Sequence, residues 1–440
     1  MLENLTPSSF AGPSVPVLVP MPTHMELPSQ SQKDLKRDLQ INAKVLHVVN
    51  GEHFAGAERV QSHLGRCLPE FGVTADFVCV KPGMFPDVLA EHNRSWGRCH
   101  TAPMKSRFDM RTAFHVRDLV KAYGYELLHA HTPRTALIAS AASRLCRIPW
   151  VYHVHSPVAR DSANAWNNRI NHFIEKVSLY GCSHLMTVSE SLRLETIAKG
   201  ASESKVTVVH NGVPTIRPKR DQFPQPGGRW VLGMVALMRP RKGLEVVLES
   251  LAMLKAEALD VVLRIIGPFE TEAYRSEIEE MIHRLDIADR IERVGFTNDV
   301  PAELVKTDAL VLPSLFGEGL PMVVLEAMAA AVPVIATRVE GTPEAVTDGG
   351  EGLLAEPRDP VSLAKCIREL VSGKFDWVTM SEAAYKRQTE CFSDLAMARG
   401  TAEVYAKVLG KGVGGLREGK HSEGSSECAA SRPLAATSSD

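Results

Sequence analysis

Pro313-Ser-Leu-Phe-Gly-Glu318-Gly-Leu-Pro321-Met-Val-Val-Leu-Glu326-Ala-Met328 reads as the exit of a buried strand, a glycine-rich loop and the start of a helix. Asp308 to Leu312 is a short apolar run ending at Pro313, and Pro321 stands where a helix best tolerates proline, at its first position. Glu318 then lies just before a helix N-terminus. Glu326 falls in the second turn of a helix otherwise apolar from Met322 to Ala331, and an ionised carboxylate there must find a partner. Two carboxylates flanking a helix N-terminus point to a polar, phosphate-bearing ligand. The amides of Gly319, Leu320, Met322 and Val323 would serve it as donors, and the helix dipole favours an anion beside them.

Upstream, the same alternation begins at Lys44-Val-Leu-His-Val-Val49, followed by a loop with Gly51 and Gly56 and a helical pattern through Leu68. The loop is Gly51-x4-Gly56, not G-x-G-x-x-G, and no G-K-[ST] follows, so the dinucleotide and P-loop fingerprints both fail. Strands follow near Ala75–Val80, Glu126–Ala130, Trp150–Val154, His184–Val188 and Val206–Val209, with helical patterns between most of them. That order implies a parallel sheet covered on both faces. Four strand ends carry polar clusters: His129-Ala-His131-Thr-Pro-Arg134, His153-Val-His155-Ser156, Ser189-Glu190-Ser191 and His210-Asn211-Gly212. Ligands of open parallel sheets bind at the carboxyl ends of strands. His129 and His153, inside their strands, read as structural residues.

A proline-glycine segment, 216–228, reads as a linker, and a second alternating series runs over 229–410. Its first loop, Arg239-Pro-Arg241-Lys242-Gly243, sets cations at a helix start and suits a diphosphate, although such a loop alone also reads as a solvated basic turn. Residues 1–40 and 411–440 are expected to be disordered. The fold class is therefore α/β: two Rossmann-like domains, 41–215 and 229–410, facing across a cleft.

Bulk properties narrow the partners. The chain has 440 residues, 44% hydrophobic and 23% charged, with a formal charge of -2, and no Lys/Arg tract, so nucleic acid is not an expected partner. Positive charge concentrates in 41–215, where 20 Lys+Arg against 14 Asp+Glu give +6. This reads as a solvated basic face, with peripheral contact to the inner membrane surface as the alternative. The 8 cysteines are scattered without a C-x-x-C pair, which argues for a reducing compartment and against a disulfide framework or zinc knuckle. Prolines break the apolar residues of the N-terminus, so no signal peptide is read, and a cytoplasmic location is expected. Gly319 to Thr337 is weakly charged, but Glu326 and Pro333 mark it as helix then strand, not a membrane span.

From about Ile41 to Lys407 the chain resembles the family 4 glycosyltransferases, retaining enzymes of the two-Rossmann B-type fold. The marks are Glu318-x7-Glu326 within F-G-E-G-L-P-x-x-x-L-E-A-M-A, then P-V-I-A-T, Gly-Thr-Pro-Glu344 and Gly352-Leu-Leu. Gly56-Ala-Glu-Arg59, His155, Val188-Ser-Glu190, Asn211-Gly-Val and Arg241-Lys-Gly243 support them. The resemblance implies that Glu318 contacts donor-sugar hydroxyls, Glu326 binds the nucleotide ribose diol, Lys242 holds the donor diphosphate, His155 lies near the reacting centre, and Gly56 belongs to the glycine loop facing diphosphate and acceptor. One departure stands out. The family usually has an arginine five or six residues before that lysine, where this chain has Leu237 and Ala236; Arg239 or Arg241 is the candidate substitute.

The implied activity is a metal-independent hexosyltransferase moving sugar from a nucleoside-diphosphate sugar, its co-substrate, to a hydroxyl on a sugar, glycolipid or polysaccharide, with no other cofactor. Breaking the sugar-phosphate bond builds negative charge on the departing diphosphate, so fixed cations and oriented dipoles are needed there. Lys242, an arginine and the helix amides would supply them. Two alternatives stay open: a nucleotide-sugar 2-epimerase on the same fold, and a sugar-nucleotide-binding protein without turnover.

Overall fold

The computed structural model describes residues 39–52, 56–91, 95–106, 109–156, 181–216 and 223–411. Of the termini expected to be disordered, 1–38 and 412–440 lie outside these residues, as do 217–222 of the expected linker, whereas Leu39 is buried in the first domain's core and Lys411 is ion-paired with Glu126. The first sheet has seven strands: β1 (Ala43–Val49), β2 (Val73–Cys79), β3 (Cys99–Thr101), β4 (Leu127–Ala130), β5 (Trp150–Val154), β6 (His184–Thr187) and β7 (Val206–Val208), in the order β3-β2-β1-β4-β5-β6-β7. The second has six: β8 (Trp230–Val235), β9 (Val261–Ile266), β10 (Ile291–Gly295), β11 (Ala309–Leu312), β12 (Val334–Thr337) and β13 (Gly352–Ala355), in the order β10-β9-β8-β11-β12-β13. Every pairing is parallel. Helices cover both faces of each sheet, which is why the strands are near-continuous apolar runs rather than alternating ones.

Each sheet reverses strand order once, between β1 and β4 and between β8 and β11. A crevice opens at such a switch point, outside the carboxyl ends of the two strands. The loops emptying into these crevices carry Asn50–Gly51 after β1, His131 after β4, Arg239–Lys242 after β8 and Pro313–Gly319 after β11. Topology thus places the quoted stretch beside the basic loop. The amide of Leu315 donates to the Arg241 carbonyl at 2.8 Å, tying the two together.

Three readings need correction. Pro321 is the residue before the helix (φ -71°, ψ 117°), which runs Met322–Ala329. The edge strand β3 escaped notice because its three half-exposed residues carry no apolar pattern. The third concerns the end of the chain. The helix Asp394–Leu409 does not stay with the second domain; Leu395, Ala398, Ala402 and Tyr405 share a core with Leu39, Val45, Leu64 and Phe71 of the first. Ion pairs of Arg66 with Asp394 and of Lys411 with Glu126 (2.7 Å) fix its two ends. An apolar helix face looks the same whichever core receives it, so sequence adjacency alone assigned it wrongly. Among the described cysteines, Cys67, Cys79, Cys99, Cys146, Cys182 and Cys366 are free and Cys391 is disulfide-bonded.

Candidate active site

Gly243 makes the second domain's half of the site. At φ 73° it ends the short 3-10 turn Pro240–Lys242, and a Cβ there would stand 2.1 Å from the Pro313 carbonyl oxygen, so only glycine lets the basic loop meet the β11 loop. Lys242 Nζ is thereby ion-paired with Glu318 Oε1, which also accepts from Ser314 Oγ at 2.6 Å. Arg241 Nη1 lies 3.7 Å from the same carboxylate and donates to the carbonyls of Gly317 at 3.2 Å and Phe316 at 3.4 Å. Arg239 instead turns to Glu270, 3.4 Å away. Of the two candidate arginines, Arg241 is therefore the one beside Glu318, while Leu237 is exposed.

Burial lowers the Lys242 pKa, Glu318 opposes that shift, and Arg241 and Arg239 add to it. One carboxylate faces two cations at close range. The Glu318 backbone amide donates to Glu340 Oε2 at 3.0 Å, and Glu340 takes the left-handed backbone at φ 37° that rarely suits a side-chain-bearing residue. Such local strain clusters at functional loops. The adjoining helix Met322–Ala329 begins with amides that have no partner inside the helix.

Glu326 is buried and finds its partner in Arg59, on the helix Gly56–Cys67 of the first domain. The expected ribose-binding carboxylate is thus engaged across the cleft. Of the two loop glycines, Gly51 (φ 84°) is buried against Cys79, where a Cβ would come within 2.7 Å of Sγ, whereas a Cβ on Gly56, which opens the helix, would meet nothing within 4 Å. Residues 53–55 of that loop lie outside the described residues.

His155 reaches the same place from β5. A Cβ on Gly319 would stand 2.3 Å from the His155 carbonyl oxygen, so Gly319 and His155 are in direct backbone contact between the domains. Beside them, Glu344 accepts from the amides of Glu190 (2.6 Å) and Ser191 (2.9 Å), capping the helix Glu190–Ala198 from the opposite domain. Asn211 Nδ2 donates to the Leu320 carbonyl at 3.0 Å. The His155 ring hydrogen-bonds through Nε2 to His131 Nδ1 at 3.1 Å, and burial lowers its pKa to about 4, leaving it neutral. Glu318, Lys242, Arg241, Gly319, Leu320, Glu326 and His155 are all gathered at the cleft; Arg239 lies to one side.

Two family models divide the chain: one described as Glycosyltransferase Family 4 matches residues 54–217, and one described as Glycosyl transferases group 1 matches 215–387. This chain belongs to the family 4 glycosyltransferases. It is 27% identical over 270 residues to an uncharacterized glycosyltransferase of Methanocaldococcus jannaschii, covering 58% of this chain and 67% of that protein. It is 24% identical over 357 residues to the Escherichia coli UDP-Gal:alpha-D-GlcNAc-diphosphoundecaprenol alpha-1,3-galactosyltransferase, covering 75% of this chain and 88% of that protein. In structure it is similar to Anabaena HepE in complex with UDP, with a TM-score of 0.72 at 20% identity over 83% of this chain and 100% of that one, which shows the fold. HepE is also known in complex with UDP-glucose.

For a family 4 glycosyltransferase, several residues at this cleft went unread as site residues. Ser314 and Glu344 lie inside stretches quoted for other reasons, Glu340 falls between two of them, and Arg59 stood only as part of a motif. Their only local signal was a charge or hydroxyl near a strand end or helix start; what pairs them is strand order, which no local spacing encodes. No described helix is long and apolar enough to cross a membrane.

Proposed function

We propose that this glycosyltransferase transfers a hexose, with retention of configuration, from a nucleoside-diphosphate sugar to a hydroxyl on a lipid-linked sugar or growing surface polysaccharide. The observation that carries the reading is the cluster of Lys242, Arg241, Ser314 and Glu318 at the N-terminal end of the helix Met322–Ala329, with His155 set against Gly319 across the cleft. The cations and helix amides suit a leaving diphosphate, Glu318 suits sugar hydroxyls, and Glu326 suits the ribose diol once Arg59 releases it. Gly51 and Gly56 line the acceptor side in this reading. The chain's own cations supply the charge stabilisation, so neither a metal nor any cofactor beyond the sugar nucleotide enters the proposal. HepE supports a uridine nucleotide as donor carrier, and the galactosyltransferase supports a polyprenyl-diphosphate sugar as acceptor. An acceptor of that kind puts the working location in the cytoplasm, at the inner membrane face.

The test is a thermal-shift screen of nucleotide sugars, since a ligand bound by the folded state raises its apparent stability. The hits are then offered a polyprenyl-diphosphate-linked sugar, with and without chelator. The anomeric linkage of the product is read by NMR. Conversion without acceptor would favour the epimerase, and binding without turnover the scaffolding protein. Loss of turnover in Glu318→Ala with the fold intact is expected; retained turnover would overturn the site.

A further inference from the structure

Four histidines and one tyrosine form a buried hydrogen-bonded array behind the cleft, with a fifth, His153, stacked on His155. His155 Nε2 meets His131 Nδ1 at 3.1 Å, His131 Nε2 meets His47 Nδ1 at 3.0 Å, His47 Nε2 meets the Tyr405 hydroxyl at 3.3 Å, and that hydroxyl meets His129 Nδ1 at 2.6 Å. His47 and His129 on β1 and β4 are fully buried, His131 at the end of β4 nearly so, and Tyr405 comes from the returning terminal helix. Burial lowers the pKa of His47 to about 3 and that of His155 to about 4, pushes His131 and His129 well below the usual histidine range, and holds Tyr405 protonated. Every member is neutral.

The nitrogens of His47, His129 and His131, and of His131, His153 and His155, lie close enough to suggest metal ligation. Ring geometry argues against it. His129 stacks on His131 (centroids 4.0 Å, 29°) and His153 on His155 (4.4 Å, 25°). Lone pairs lie in the ring plane, so stacked rings aim theirs side by side rather than at a common point, and hydrogen bonds already occupy both nitrogens of His47 and His131, Nδ1 of His129 and Nε2 of His155. The array is a hydrogen-bonded chain.

A chain of neutral imidazoles, each with one N–H and one bare nitrogen, allows only two unbroken proton arrangements. In one, His129 Nδ1–H donates to Tyr405, Tyr405 to His47, His47 Nδ1–H to His131, and His131 Nδ1–H to His155 Nε2. His129 Nε2 is then a bare nitrogen. In the other every bond reverses, and His129 Nε2 carries a proton. That nitrogen is buried and has no hydrogen-bond partner among the described residues. An orphaned buried N–H is the rarer and more costly outcome than an unused acceptor, so the first arrangement wins.

We propose that Tyr405, His47 and His131 are positioning residues that hold His155 in one tautomer, Nδ1–H with Nε2 bare. His155 thereby faces the donor sugar as a neutral hydrogen-bond donor. This role rests on the transferase reading above; the tautomer itself does not. As a donor, His155 binds a sugar or phosphate oxygen and takes no proton from the acceptor. Being uncharged, it adds no repulsion to an anomeric carbon gaining positive charge. The chain ends blind at His129, so it fixes a proton arrangement rather than conducting protons to solvent.

Histidine-selective nitrogen-15 NMR of the full chain tests this, with His155→Gln used to assign the signals. In the unsubstituted protein, His155 should show a protonated Nδ1 and a bare Nε2; a protonated Nε2, or a mixture, overturns the proposal without recourse to any variant. His131→Phe should turn His155 into a mixture and lower kcat about ten-fold or more with little change in the donor KM. His131→Gln can donate to His155 and accept from His47, so it should restore both; a single unchanged tautomer in His131→Phe would overturn the relay. Calorimetry with UDP on the same samples keeps the readings apart, since absent nucleotide binding would count against the transferase site while the spectrum still decides the tautomer.

Discussion

Arg59 and Glu326 are ion-paired across the cleft, a helix of one domain holding the buried carboxylate of the other. If Glu326 serves the ribose, Arg59 is a placeholder for the nucleotide. Glu326→Gln keeps the volume and removes the charge, and should weaken UDP binding by about ten- to a hundred-fold, as hydrogen bonds to charged groups contribute roughly 1.5–3 kcal/mol. Arg59→Ala frees the carboxylate and should weaken it far less. Calorimetry compares the two, and equal losses would put Arg59 itself on the nucleotide.

The basic loop gives a graded expectation. Lys242→Met, removing the cation paired with Glu318, should lower kcat by about 10²–10³. Arg241→Ala should cost more than Arg239→Ala, because Arg241 sits by Glu318 and Arg239 by Glu270. Steady-state kinetics on the three variants decides the order; a larger loss at Arg239 would reverse the assignment.

Gly319→Ala places a methyl group 2.3 Å from the His155 carbonyl, closer than real contacts allow. The domains must part to admit it, while each sheet keeps its own core. Transfer should fall more than ten-fold by the geometric sensitivity of catalysis, with a small change in melting temperature and a larger radius of gyration by solution scattering. An unchanged radius with full activity would show that this contact is not needed for turnover.

Acid should unfold the protein steeply. His47, His131, His153 and His155 are kept neutral by burial, with pKa values below the ordinary 6.5 and about 3 and about 4 for His47 and His155. Unfolded, each takes up a proton as pH falls through 6.5, while the folded form does not. Stability is therefore full above that value and falls toward the folded pKa, by up to about 1.4 kcal/mol per pH unit for each such group. Urea melts across this range check the slope, and a flat profile down to about pH 5 would contradict the neutral array.

Much of the fold was legible because buried parallel strands are apolar runs ending in polar clusters: Lys242, Glu318 and His155 stood at such ends, and Glu326 was the lone charge in an otherwise apolar helix. What stayed hidden is set by long-range assembly. Nothing in Asp394–Leu409 says which core receives it, and nothing near Glu326 names Arg59. His47 looked like one more strand residue until register set it beside His129. The array behind His155 needed β1, β4, β5 and a helix from the far end of the chain.

That helix has a mechanical meaning. The chain passes between the domains twice, once between residues 216 and 223 and again at Ser393, where Val213 exchanges backbone hydrogen bonds of 3.0 Å with Phe392 and Asp394. A body joined at one point swivels freely, whereas one joined at two turns about the line between them. Any opening of the cleft would thereby be confined to a turn about that line, like a door on two pins, and closure would return Gly319 to the same spot on His155. No single cut in the chain yields both halves whole, because the first domain is completed by the helix Asp394–Leu409, which follows the second domain in sequence.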